Sequence, residues 1–104
     1  MRDDRQRLDK WLWFARFAKT RPAAVRLAGD GHVRIDGRRV TNAAHALKLG
    51  DVLTLALAHA TVVVRIVALG ARRGPYEEAR TLYQRLDGGG DAEAQEADDG
   101  GADP

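Results

Sequence analysis

The chain has no cysteine, only three prolines in 104 residues, and three widely separated histidines. The first absence excludes a disulfide framework, thiol catalysis and a Cys-ligated zinc site. His32, His45 and His59 are too dispersed for a metal centre, and no carboxylate pair or Ser/His/Asp arrangement stands out. The glycines form neither a GxGxxG nor a phosphate-binding loop. No run approaches the ~18 apolar residues of a membrane span, and the opening MRDDRQRLDK lacks the apolar core of a secretion signal. The expectation is a soluble, cytoplasmic chain that is not an enzyme and needs no cofactor.

What the chain has in quantity is charge, unevenly placed. All 17 lysines and arginines fall between Arg2 and Arg85 against eight acids in residues 1–86, so this body carries +9. From Asp87 to Pro104 there are seven acids and no base, a net of −7. Asymmetry of this size points to a polyanionic partner. The acidic tail reads most simply as solubilising; folding back over the basic face to compete with weakly held RNA is a second role compatible with it.

The length accommodates one domain and a tail. Residues 1–6 read as a flexible N-terminus, 7–70 as the folded domain, 71–86 as a basic linker and C-terminal helix, and 87–104 as a disordered acidic tail. Leu8, Trp11, Leu12 and Ala15 fall at i, i+3, i+4 and i+7, one face of an amphipathic helix. Thr20 offers an N-cap and Pro22 sits early, which predicts a second helix over Arg21–Ala28 burying Ala24, Val25 and Ala28. Gly29 and Gly31 supply its stop. Val33 and Ile35 alternate with His32 and Arg34, Asp36-Gly37 is a two-residue turn signal, and Arg38–Val40 starts the return strand. Thr41–Lys48 reads as irregular, Val52–Leu57 and Thr61–Leu69 as strands, and Tyr76–Leu86 as a helix with Ala79, Leu82, Tyr83 and Leu86 on its apolar stripe. The predicted class is α+β: two helices on a small, mostly antiparallel sheet of four to five strands, plus a C-terminal helix.

Six cations crowd the first helix pair: Arg7, Lys10, Arg16, Lys19, Arg21 and Arg26. A guanidinium fork binds phosphate bidentately, whereas an ammonium acts as a point charge. The Thr20 hydroxyl and the N–H groups opening the second helix add an anion site beside Arg21. Asp9, an acid inside this basic block, either orients a neighbouring arginine or complements the helix dipole. Trp11 reads as core. Trp13, Phe14 and Phe17 either stack on bases or pack against the C-terminal helix at Leu82 and Leu86, the latter being the simpler reading. Arg34, Arg38 and Arg39 on the hairpin either extend the positive surface or protect an edge strand. Lys48, Arg65, Arg72 and Arg73 are too scattered to assign.

Three segments in order carry a resemblance: RLDKWLWFARFAKTR, GDGHVRIDGRRV and LKLGDVLTL. Together they resemble the RNA-binding module named after ribosomal small-subunit protein four, with Asp36 where asparagine is usual. RLDKWLW, the KTR corner and PYEEARTLYQRL are similar to one branch, the ribosome-associated fifteen-kilodalton heat-shock family; the likeness covers about residues 5–86. It implies a stand-alone αL motif of two helices and a hairpin, with no catalytic domain. It further implies an RNA face of Arg7, Lys10, Arg16, Lys19, Thr20, Arg21 and Arg26, with Arg34 and Arg38 from the hairpin. The implied partner is ribosomal RNA on the free large subunit carrying nascent peptidyl-tRNA, during rescue of stalled ribosomes under stress, with weaker binding to other RNA or DNA; separately, nothing in the sequence demands more than a monomer. That branch continues into a basic C-terminal extension, whereas residues 87–104 here are acidic.

Overall fold

The computed structural model describes residues 4–87. From residue 88 onward the expected disordered tail lies outside the described residues, as do residues 1–3. The elements run β1 (Arg5–Arg7), α1 (Leu8–Phe14), α2 (Arg21–Gly29), β2 (Val33–Ile35), β3 (Arg38–Val40), β4 (Ala46–Lys48), β5 (Val52–Ala56), β6 (Thr61–Ile66), α3 (Tyr76–Ala79), a 3-10 turn (Arg80–Leu82) and β7 (Tyr83–Arg85).

Helix α1 forms where the apolar spacing placed it. Leu8, Trp11 and Leu12 are fully buried, and Ala15 continues the same stripe past the helix end. Its opening N–H groups are satisfied from a distant loop: Leu8 donates to the His45 carbonyl and Asp9 to that of Ala43. The helix stops through paired backward bonds, Phe17 N–H to Leu12 O and Arg16 N–H to Trp13 O, with Arg16 in the left-handed region at φ 66°. Helix α2 ends in the same way: His32 bonds to Leu27, Gly31 to Ala28, and Gly31 takes φ 83°. This is the Schellman arrangement twice over, once with the glycine it favours and once with an arginine. At the other end of α2 the Thr20 hydroxyl accepts the Ala23 N–H at 3.1 Å, as the cap signal predicts.

Five strands form one antiparallel sheet in the order β3-β2-β5-β6-β7. Successive strand residues point to opposite faces. Val33, Ile35, Leu53, Leu55, Val62, Val64, Ile66 and Tyr83 fill the inner face and form one core with Trp11, Leu12, Phe17, Ala24 and Ala28. The Trp11 indole N–H, carried into this core, donates to the Ala68 carbonyl at 3.0 Å. Asp36 and Gly37 take φ 51° and 88° in the predicted β2–β3 turn. Asp36 also holds the hairpin to β5, its Oδ1 accepting the Val52 N–H at 3.1 Å. An acid at this position therefore keeps a structural bond.

Five expectations are corrected. Arg5 and Gln6, placed in the flexible N-terminus, belong to β1, which pairs with β4 inside the segment read as irregular. Both strands have three residues and bury one apolar side chain, Leu47, too little for alternation to register. The C-terminal helix is present but short. Helical structure ends at Leu82, and Tyr83–Arg85 instead adds an edge strand to β6, because Tyr83 is drawn against Phe17 and Trp11 at ring separations of 4.9 and 6.4 Å. Strand β6 ends at Ile66, since Val67 and Ala68 both donate to the Leu82 carbonyl. Val25, expected in the core, is 41% exposed; the buried stripe of α2 is Ala24 and Ala28.

Candidate nucleic-acid interface

The helix corner is organised by one carboxylate. Asp9 is 1% exposed and receives two bonds from Arg7, Nε to Oδ1 at 3.1 Å and Nη2 to Oδ2 at 3.0 Å. Arg21, from the start of α2, donates Nη2 to Oδ1 at 3.4 Å. Burial alone would raise the Asp9 carboxyl pKa. The Arg7 hydrogen bonds and the charges of Arg21 and Arg7 outweigh it and hold the group below its ordinary value. Asp9 thus orients two arginines whose side chains stay 53% and 37% open to solvent. Asp9 sits in the first turn of α1, where it could complement the helix dipole, and its bonds to Arg7 and Arg21 match the reading of it as an acid that orients neighbouring arginines.

The other predicted residues divide by what they touch. Lys10 is exposed, its Nζ 5.7 Å from the Phe14 ring centroid. Lys19 and Thr20 are exposed on the connection, and Arg26 is exposed in the last turn of α2. Arg26 lies five residues after Arg21, about 140° around the helix, so the two point in different directions. Arg16 is half-buried, and its Nε donates to the Gly74 carbonyl at 2.7 Å. Arg73 reinforces the same corner from outside, with Nη1 on the Trp13 and Ala18 carbonyls at 2.7 and 3.2 Å and its guanidinium 5.9 Å from the Trp13 ring.

The anion site expected from the α2 N-terminus is weaker than the sequence implies. The Ala23 N–H is taken by the Thr20 hydroxyl, Ala24 bonds to the Thr20 carbonyl, and Pro22 has no N–H. The Thr20 hydroxyl keeps its own proton to donate. Positive charge at this corner comes mainly from side chains.

The hairpin does not present its arginines together. Arg34 pairs directly with Arg39, while Arg38 pairs with Ile35. Arg34 and Arg39 therefore share the outer face of the sheet, and Arg38 lies on the other. Arg38 borders an open cleft of about 530 Å³ between the hairpin and β4, with His45, Lys48, Asp36 and Asp51 also on its walls. Lys48 stands opposite Arg5 in the β1–β4 ribbon and bonds to Asp51 at 2.8 Å. The ribbon links Arg7 to the cleft that holds Arg38. This link was invisible in sequence because neither strand was. The Arg34–Arg39 pairing was legible: a two-residue turn at Asp36-Gly37 fixes that register.

Among the described residues, Lys10, Arg26, Arg34, Arg38 and Arg39 have no carboxylate partner. The aromatic residues offer little docking surface: Trp11, Phe14 and Phe17 are at most 6% exposed, and Trp13 is half-buried beneath Arg73. Among the described residues no group of three metal-ligating side chains forms, and no helix is long and apolar enough to cross a membrane.

Comparison with known proteins places this arrangement. The S4 domain family model matches residues 6–53. A heat shock protein 15 homolog of Haemophilus influenzae is 34% identical over 87 residues, covering 84% of this chain and 66% of the relative. Heat shock protein 15 of Escherichia coli K12 is 38% identical over 78 residues, covering 75% of this chain and 58% of the relative. The chain thus spans roughly three fifths to two thirds of the length of these curated relatives. The structure also superimposes on the trimeric heat shock protein 15 of Vibrio cholerae with a TM-score of 0.74 at 34% identity, over 79% of this chain and 82% of that one. With the motif, the fold and the full helix-helix-hairpin unit in agreement, the chain belongs to the heat shock protein 15 family of S4-domain proteins.

Proposed function

We propose that this protein is a non-enzymatic RNA-binding protein. It binds ribosomal RNA on the free large ribosomal subunit that still carries peptidyl-tRNA, and acts in rescue and recycling of stalled ribosomes under stress. The observation that carries this reading is the set of exposed cations around the Asp9-braced corner, of which Lys10 and Arg26 lack a carboxylate partner among the described residues. Uncompensated cations held on a rigid frame suit a polyanion, because they displace condensed counterions from phosphates without first breaking internal ion pairs.

Each residue has a task in this account. Arg7 and Arg21 present guanidinium edges fixed by Asp9, so phosphate binding costs less side-chain ordering. Lys10, Lys19 and Arg26 supply longer-reaching charge around the corner, and the Thr20 hydroxyl donates to a phosphate oxygen. Arg16 holds the corner through Gly74 and lends charge at its rim. Arg38 continues the track across the β1–β4 ribbon; Arg34, on the hairpin's other face, is not part of this corner track. RNA is preferred to DNA on family membership, since phosphate contacts alone do not distinguish them. Other RNA and DNA bind more weakly. The footprint lies within one chain, and monomeric action is part of the proposal; a solution mass three times that of the chain would contradict that part.

The test is co-sedimentation with separated ribosomal particles at near-physiological salt, with and without peptidyl-tRNA on the large subunit. Preferential binding to tRNA-bearing large subunits is the expected result. Binding to no particle but to a structured RNA fragment would leave a general structured-RNA binder and refute the ribosomal assignment.

A further inference from the structure

On the outer face of the sheet, turned away from α1 and the buried core, Arg34 and Arg39 stand directly opposite each other on β2 and β3, with Thr54 of β5 on the other side of Arg34. Like charges at directly opposed strand positions destabilise a sheet, and their Cβ atoms are only about 5 Å apart. Edge protection does not account for the pair. Arg39 is on the edge strand β3, but Arg34 is on β2, flanked by β3 and β5. Arg65 adds a third charge to this face from β6, also an interior strand, where it pairs with Val52 and Gln84.

The local surface is concave and without acids. Gly31, His32, Arg34, Arg39, Thr54 and Ala56 line a hollow of about 170 Å³, and no carboxylate is among them. Arg39 is laid over Gly31 at the end of α2: a Cβ at Gly31 would come within 3.3 Å of the Arg39 Cδ and 3.5 Å of its Nε. The left-handed glycine that ends the helix thus also seats the arginine. The Arg34 guanidinium makes only a long contact, 3.5 Å, to the Gly37 carbonyl among the described residues. Two guanidinium groups side by side, a hydroxyl and an imidazole around an acid-free hollow match a phosphate group that accepts several hydrogen bonds at once.

We infer that the Arg34–Arg39 hollow is a second phosphate-binding site, for a nucleic-acid segment other than the one held at the helix corner. The sheet lies between this hollow and Arg7, Lys10 and Arg21, so one short RNA segment does not reach both. The protein then acts as a clamp between two RNA segments, and the hairpin divides its arginines between them. This inference rests on the proposed RNA-binding role and deepens it by assigning a second, separable contact. A small phosphate compound would present the same chemistry as a phosphodiester, and the test separates the two.

The experiment is an amide NMR titration of the full chain with a short RNA hairpin, and separately with inorganic phosphate. With RNA, two sets of shifts with distinct midpoints are expected: one at Lys10, Thr20 and Arg21, the other at Gly31, His32, Arg34, Arg39 and Thr54. R34Q combined with R39Q should abolish the second set and leave the first unchanged. Because the substitutions relieve repulsion, the double variant should also melt at or above the parent temperature at low salt, which establishes that it folds. Shifts confined to the helix corner would overturn the second site and leave the RNA-binding role standing. A second set that survives in the double variant would also overturn it. Saturation of the hollow by inorganic phosphate without a matching RNA response would assign it to a small ligand and refute the clamp. No RNA-dependent shift at either place would refute both readings.

Discussion

Asp9 is the residue on which the basic corner depends. Its carboxylate is buried, yet two arginines keep it charged and hold its pKa below the ordinary value against the opposing effect of burial. A depressed folded-state pKa stabilises the fold fully above the unfolded carboxyl value of about 4, and that contribution is lost as pH falls through the folded value. Asp9→Asn should lower stability at neutral pH by about 2 kcal/mol, the scale of a charge-assisted hydrogen bond, and flatten the decline in melting temperature below about pH 4. Thermal melts of both proteins from neutral to acid pH check both effects; parallel curves would refute the brace. Local chemistry made several of these residues readable. The Thr20 cap and the Asp36-Gly37 turn are set by neighbours within three residues. Arg16 was not readable in the same way, because the left-handed C-terminal position of α1 holds an arginine where glycine would have announced it. Its bond to Gly74, 58 residues away, has no local signature.

At the scale of elements, α2, the β2–β3 hairpin, β5 and most of β6 follow from periodicity and turn residues. The failures share a cause: the segments are short, and distant partners decide them. Strand β4 exists because β1 returns to pair with it, and β7 because Tyr83 finds Phe17 and Trp11. Two predictions belong here. Thr20→Ala should remove the Ala23 cap and cost about 1 kcal/mol in denaturant unfolding, with no change in the unfolding slope. Gly70→Ala should be worse than its exposure implies. Gly70 exchanges two hydrogen bonds with the Gln6 side chain, at 2.8 and 2.9 Å, and a Cβ there would come within 2.6 Å of the Phe14 ring and 2.9 Å of its Cβ. A loss of about 1–3 kcal/mol, the range for overpacking, is expected in the same measurement. A neutral Gly70→Ala would mean that α1 and the chain after β6 are less closely packed than described.

For the molecule as a whole, the charge asymmetry in the sequence announced a basic surface but not its layout. The helix-corner cations were legible as a cluster because they are close in sequence. The ribbon that carries positive charge from Arg7 past Arg5 and Lys48 toward Arg38 required β1 and β4, which no local pattern revealed. The division of the hairpin arginines between two faces follows from strand parity once the turn is known. The central claim is that exposed cations at this corner bind RNA phosphates directly. It is tested most directly by the salt dependence of affinity for a structured RNA, compared between the parent and the K10A/R26A double variant, neither residue having a carboxylate partner among the described residues. About six phosphate contacts predict roughly three decades of lost affinity between about 50 and 200 mM salt, and the slope should shrink by about 0.9 for each contact the substitutions remove. A salt-insensitive affinity, or an identical slope in the double variant, would contradict the claim.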